Sequence, residues 1–146
     1  MFTYGPEEIR WFVYESPLTA LLSDLRDLLK EENEDDYGIL KPTPHAFTTA
    51  LSLIMGVSMF IQAGCPFATV STDSEVGIRI EWVKGKGEMR LIIPASSKKA
   101  PYIYYEFDDK YGVDRNANAF KLTRWMNRLN TYGTIAVPAY ISTITL

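Results

Sequence analysis

Between Phe67 and Phe107 the sequence repeats one alternation of apolar and polar residues. Ile78, Ile80 and Trp82 fall on one side and Arg79 and Glu81 on the other, and Met89, Leu91 and Ile93 repeat the pattern. Successive strand side chains point to opposite faces, so this alternation specifies half-buried antiparallel strands. Lys84-Gly85-Lys86-Gly87 separates the two passes with the length and glycine content of a tight hairpin. Four strands are predicted, at 67–72, 76–83, 88–94 and 101–107, joined by turns at Asp73-Ser74-Glu75, 84–87 and 95–100. Sequential hairpins make this a meander. The expected register pairs Trp82 with Met89, Ile80 with Leu91 and Ile78 with Ile93, leaving Glu81 opposite Arg90. A slip of one residue would turn an entire apolar set to solvent.

Helical patterns flank the strands. Pro6, Glu7 and Glu8 suit a short helix start, and Ser16-Pro17 places an N-cap and a first-turn proline before Leu18, Leu21, Leu22, Leu25, Leu28 and Leu29. That second helix is expected to stop near Asn33, with a loop over 35–43. Thr43 should cap a helix from Pro44 to about Gln62 with a stripe of Phe47, Leu51, Ile54, Val57 and Ile61. Leu53, Met55, Met59 and Phe60 broaden the stripe, so a helix covered on more than one side is expected. Gly64 and Pro66 should end it. Asn116 or Asn118 can cap a last helix through Leu129, with Leu122, Trp125, Met126 and Leu129 inward and Lys121, Arg124 and Arg128 outward. Trp82, Leu91, Leu25, Leu51, Ile54 and Trp125 are expected in one core. The tail 134–146 has no charged side chain, and Ile135, Val137, Tyr140, Ile141, Ile144 and Leu146 give it high strand propensity. It reads as a fifth strand or as an oligomerisation contact. The expected fold is a single α+β domain over 1–146: N-terminal helices, a four-stranded antiparallel meander, a C-terminal helix and an extended tail, with helices on one face of the sheet.

At 146 residues the chain suits one domain with a sizeable core. The net charge of −3 is unevenly spread: residues 1–45 carry ten acids against four Lys/Arg, net −6, and residues 46–146 carry eight against eleven, net +3. The acidic run Glu31, Glu32, Glu34, Asp35 and Asp36 lacks the alternating ligands and turn glycine of a calcium loop and reads as a solvated helix end. Cys65 is the single cysteine, which excludes an internal disulfide and suits a reducing cytosol. The apolar stretch 46–63 is interrupted by Thr48, Thr49, Ser52, Ser58 and Gln62, a buried helix rather than a membrane span. With no secretory signal at its start, the expectation is a soluble cytoplasmic protein without a membrane partner.

Catalytic chemistry has few bearers. His45 is the only histidine, sits at a helix start and has no nucleophile turn to serve. Cys65, between Gly64 and Pro66, has no basic neighbour to stabilise a thiolate. One histidine and one cysteine cannot assemble a structural zinc site, so no metal or cofactor is expected. Gly85 and Gly87 lack the spacing of a phosphate loop, and Glu81, which with Glu106 suggests paired carboxylates, has a cross-strand partner in Arg90. The aromatics are more telling. Tyr102 and Tyr104 point away from the face that holds Ile103 and Tyr105, and Phe107 follows. Such a strand near Lys98, Lys99 and Arg90 is able to stack bases, but the net charge and the missing RNA-recognition signature argue against nucleic acid. Tyrosine enrichment favours a protein contact. The reading is a noncatalytic protein-interaction or regulatory module, with self-association as one form of the contact and Tyr102, Tyr104, Ile135, Val137, Tyr140 and Ile141 as contact residues. The rival is a small-ligand binder or enzyme with a pocket between sheet and helices lined by Trp82, Tyr105 and Trp125.

Asp35-Asp36-Tyr37-Gly38, Lys41-Pro42-Thr43-Pro44 opening a helix, Gly77-Ile78-Arg79-Ile80-Glu81-Trp82 and Leu91-Ile92-Ile93-Pro94 resemble a loose group of small bacterial conserved hypothetical proteins. That group shows a Trp-Asp-Gly-type loop, a Pro-Ser-Pro helix start and a strand ending in Glu-Trp. The likeness covers about residues 31–129, and the loop tryptophan is replaced here, Asp36 standing before Tyr37-Gly38. The resemblance implies a bacterial cytosolic origin and a similar fold, and it brings no catalytic residues.

Overall fold

The computed structural model describes residues 16–30, 34–35, 38–39, 41–61 and 64–132. Helix α1 (Pro17–Leu28) begins as its sequence dictates: Ser16 is the N-cap, its Oγ accepting from the Thr19 amide at 3.1 Å, and Pro17 follows. Leu21, Leu25 and Leu28 are its buried face. It ends at Leu28, short of the expected Asn33, with Leu29 as its C-cap. A short antiparallel pair, β1 (Glu34–Asp35) with β2 (Gly38–Ile39), overlaps the expected loop over 35–43 and is too short to show any alternation in the sequence.

Helix α2 (Pro44–Phe60) is capped by Thr43, whose hydroxyl accepts from the Ala46 amide at 3.2 Å and donates to the Ala95 carbonyl at 2.8 Å. One residue therefore sets the helix start and ties it to the end of the sheet. Only Ala46, Ala50, Ile54 and Val57 are buried. Two corrections follow. Leu51 is half-buried and outside the core, while Met55, Met59 and Phe60 are exposed, so α2 is covered along one strip rather than on more than one side. Small residues explain the close approach on that strip, and Gly56 sits where a Cβ would lie 2.6 Å from that of Ala119.

The sheet contains five strands in sequence order: β3 (Ala68–Thr72), β4 (Ile78–Lys84), β5 (Gly87–Ile93), β6 (Tyr102–Phe107) and β7 (Lys110–Arg115). All neighbours are antiparallel. The expected central register is present: Trp82 opposite Met89, Ile80 opposite Leu91, Ile78 opposite Ile93 and Glu81 opposite Arg90. Lys84 pairs with Gly87, so the turn is Gly85-Lys86, with Gly85 at φ 61 in the pattern of a type II′ turn. β7 is the correction to the four-strand expectation. Lys, Gly, Asp and Arg are weak strand formers, and an edge strand buries too little to show a clean pattern.

Between β3 and β4 the Asp73 carboxylate accepts from the Glu75 and Gly77 amides, both at 2.9 Å. Val76 is held there at φ 59, a strained conformation for a β-branched residue, with its carbonyl accepting from the Thr43 amide at 3.0 Å. Helix α3 (Ala119–Tyr132) is capped by Asn118, whose Oδ1 accepts from the Lys121 amide at 2.8 Å, whereas Asn116 sits at φ 55. α1 packs on β3, α2 on β4, β5 and α3, and α3 on β4 and β5. Trp82, Leu91, Leu25 and Ile54 share one core with Leu122, Met126 and Leu129, and Trp125 packs against it. The expected first helix near Pro6 and the tail 134–146 lie outside the described residues.

Candidate functional site

The residues that alternate with the core on β3 to β7 form a second face in three rows. Val83, Glu88, Glu106 and Tyr111 stand side by side; so do Thr69, Glu81, Arg90, Tyr104 and Val113; and so do Ser71, Arg79, Ile92, Tyr102 and Arg115. Its centre is a charged lattice. Glu81 pairs with Arg79 at 2.6 Å and reaches Arg90 only at 3.9 Å, while Arg90 pairs with Glu88 at 3.0 Å and lies 5.2 Å over the Tyr104 ring. The expected Glu81–Arg90 contact is therefore present but long, since each partner has a closer one two residues along its own strand. Partial desolvation, then the charges of Glu106 and Glu88, raise the Tyr104 phenol above its ordinary value.

The rows end on β7, where polarity changes. Tyr111 is 71% exposed and Val113 48%. β7 hydrogen-bonds to β6 on one side, and no described strand pairs with the other. A two-residue turn, Asp108-Asp109, joins the strands, with Asp108 at φ 56 and Phe107 opposite Lys110. In such a hairpin the closing pair exchanges its hydrogen bonds and the alternation proceeds from there. Lys110, Gly112 and Asp114 thus direct their backbone groups to β6, and Tyr111 and Val113 direct theirs outward, while the Arg115 carbonyl accepts from Lys121 Nζ at 2.8 Å.

On the core side, Tyr105 lies opposite Gly112, and its hydroxyl occupies the place a Cβ there would take, 2.5 Å away. Trp125 stacks on Tyr105 with ring centroids 4.0 Å apart. The indole Nε1 donates to Asp114 Oδ2 at 2.9 Å, and Lys121 Nζ meets Asp114 Oδ1 at 3.1 Å. The Trp125 hydrogen bond, with Lys121 assisting, holds the Asp114 carboxyl below the ordinary carboxylate value. Lys121, expected outward, is thereby drawn to the sheet edge. Arg128 lies 5.3 Å over Phe107 and 5.6 Å over Trp125. The Tyr132 hydroxyl donates to Asp108 at 2.6 Å, a bond that raises the phenol above its ordinary value.

Two shallow depressions flank the two ends of β7. One, of about 500 Å³, is lined by Tyr105, Phe107, Trp125, Arg128 and the start of the strand. The other, of about 440 Å³, is lined by Tyr102, Lys99, Arg115 and Asn116 among others. Tyr102 and Tyr104 thus stand on the face that leads to β7, and Ile135, Val137, Tyr140 and Ile141 lie outside the described residues. Of the expected pocket lining, Tyr105 and Trp125 come together, but Trp82 does not join them. It is 0% exposed, with Met89 between it and Tyr105 across the strands. Tyr111, Val113 and Arg115 were missed. Their signal is Asp108-Asp109, a turn pair directly after a strand, followed by an alternation of Tyr111 and Val113.

His45 is exposed at its helix start. Cys65 is buried, and burial raises its thiol, with the nearby Trp82 indole acting in the opposite direction. Among the described residues no group of His, Cys, Asp and Glu is placed to hold a metal, and no helix is long and apolar enough to cross a membrane. No family model matches the chain, no curated protein matches it, and no solved structure matches it.

Proposed function

We propose that the chain is a noncatalytic protein-interaction module of the cytoplasm whose helices cover one face of the sheet and whose β7 edge meets the partner. The observation that carries this reading is a strand edge with outward backbone groups and two exposed apolar residues, Tyr111 and Val113. Unpaired edges are templates for a further strand, and natural proteins blunt them unless they are used. The partner is a protein that presents a strand edge of its own. Main-chain hydrogen bonds supply attachment, while the Arg79–Glu81–Arg90–Glu88 lattice and Tyr104 keep the neighbouring face polar enough to remain solvated.

The test is a photoactivatable cross-linking residue at position 113 in the full chain, irradiated in living cells. Protein adducts of discrete mass that disappear when Tyr111→Lys is added support the reading. Absence of protein adducts, or adducts indifferent to that substitution, overturns it. A ligand-binding reading draws on one observation, the stacked Tyr105–Trp125 pair beneath Arg128. It predicts instead a small molecule retained in native mass spectrometry and lost in Trp125→Ala.

A further inference from the structure

The two ends of β7 carry opposite charge. At its start the turn Asp108-Asp109 is acidic, and at its end Arg115 shares a depression with Lys99. Lys110, Asp109 and Arg115 make no side-chain ion pair among the described residues. The geometry points to a second copy of this chain as the partner, two β7 edges pairing antiparallel about a two-fold axis perpendicular to the sheet. This rests on the interaction reading and gives it an occupant.

The register follows from the residues. In an antiparallel pair, residues opposite each other share a face, and those with outward backbone groups must pair with one another. Tyr111 and Val113 are such residues. Centring the axis on Gly112 sets Tyr111 opposite the partner's Val113 and Lys110 opposite the partner's Asp114. It also sets Asp109 opposite the partner's Arg115. Tyr111 and Val113 then meet each other, and from Asp109 to Arg115 every charge meets its opposite, twice over by symmetry. Centring on Val113 instead sets Lys110 opposite the partner's Asn116 and Asp114 opposite the partner's Gly112, which forfeits these pairs. Centring on Tyr111 sets Asp114 opposite the partner's Asp108, a like-charge contact. The glycine at the axis also has a role. Gly112 brings no side chain of its own, and its place on the core side is filled by Tyr105, so both copies present stacked aromatics beside the axis.

The experiment is light scattering on the purified full chain over a range of concentrations, repeated with Asp109→Arg, with Arg115→Asp and with the two variants mixed in equal amounts. The unaltered chain is expected at twice its chain mass. Either substitution alone sets two like-charged pairs across the axis and should weaken association on the order of tenfold. Mixing sets opposite charges at both positions and should restore the dimer. A monomer at every concentration, or single variants that associate as tightly as the unaltered chain, overturns the inference. So does a monomer whose Tyr111 and Val113 amides exchange slowly, because another segment of the same chain then covers the edge. Cross-links from position 113 to a protein other than a second copy remove the homodimer and leave the interaction module standing, whereas no cross-links at all remove both.

Discussion

Trp125 and Asp114 join helix to sheet through a single hydrogen bond, indole Nε1 to carboxylate Oδ2, at 2.9 Å. That bond fixes the ring in the plane that stacks on Tyr105, and Tyr105 in turn fills the space over Gly112. The position of β7, the last described strand of the sheet, is therefore set by a side chain on α3.

The same bond predicts a pH dependence. The folded Asp114 carboxyl titrates below its unfolded value. Its contribution is fully present above the ordinary carboxylate range and is lost as pH falls through the lower, folded value. Urea midpoints measured from neutral pH downward should fall less steeply for Asp114→Ala than for the unaltered chain. Parallel curves would show that the bond does not couple to stability.

Ile54 and Leu51 face different surroundings on one helix: Ile54 is 0% exposed and Leu51 half-buried. Ile54→Ala should cost about 2–5 kcal/mol through lost transfer energy and a cavity. Leu51→Ala should cost clearly less, in the same denaturation experiment.

Gly77 sits where an added Cβ would lie 2.5 Å from the Ile93 carbonyl oxygen. Backbone cannot swing away as a side chain end does, so Gly77→Ala should destabilise by about 1–3 kcal/mol. Gly85→Ala, in open space but at φ 61, should cost through backbone strain alone. Thermal unfolding of the two variants should rank Gly77→Ala as the more damaging.

Thr43→Ala removes both a cap and the tie to Ala95, so a loss at or above the roughly 1 kcal/mol usual for an N-cap is expected. Thr43→Ser keeps the hydroxyl and should recover most of it. Equal losses for the two would assign the effect to the methyl group instead.

The central hairpin and the caps of α1 and α2 were legible because each rests on local chemistry: alternation fixes the register of β4 and β5, and Ser16 and Thr43 fix the starts, while the cap of α3 was narrowed to Asn116 or Asn118 and is Asn118. β7 was not legible, since its core-side cover is the Tyr105 ring over Gly112 rather than an apolar residue of its own. Leu51, Met55 and Met59 misled for a related reason. Periodicity shows that a helix is apolar, but which strip faces the sheet depends on where Ala46 and Ala50 permit close approach. The candidate site was half visible, through Tyr102, Tyr104, Tyr105 and Trp125. Its edge depended on a tertiary fact, the lack of a described strand beyond β7.

Among the described strands, each strand of the meander pairs only with its neighbours in the chain, and two of the connections are two-residue turns. Loop closure then costs little entropy at each step, and the sheet can zip outward from the β4–β5 hairpin. The contacts that bridge long stretches belong to the helices, as in the bond from Thr43 to Ala95 and that from Asn130 to Gly64. Docking of the helices on the sheet is thus expected to be the slower step of folding. Until they arrive, the apolar side of the sheet is uncovered while its charged side stays solvated, and crowded synthesis is when this chain is most exposed to sticking to its own kind.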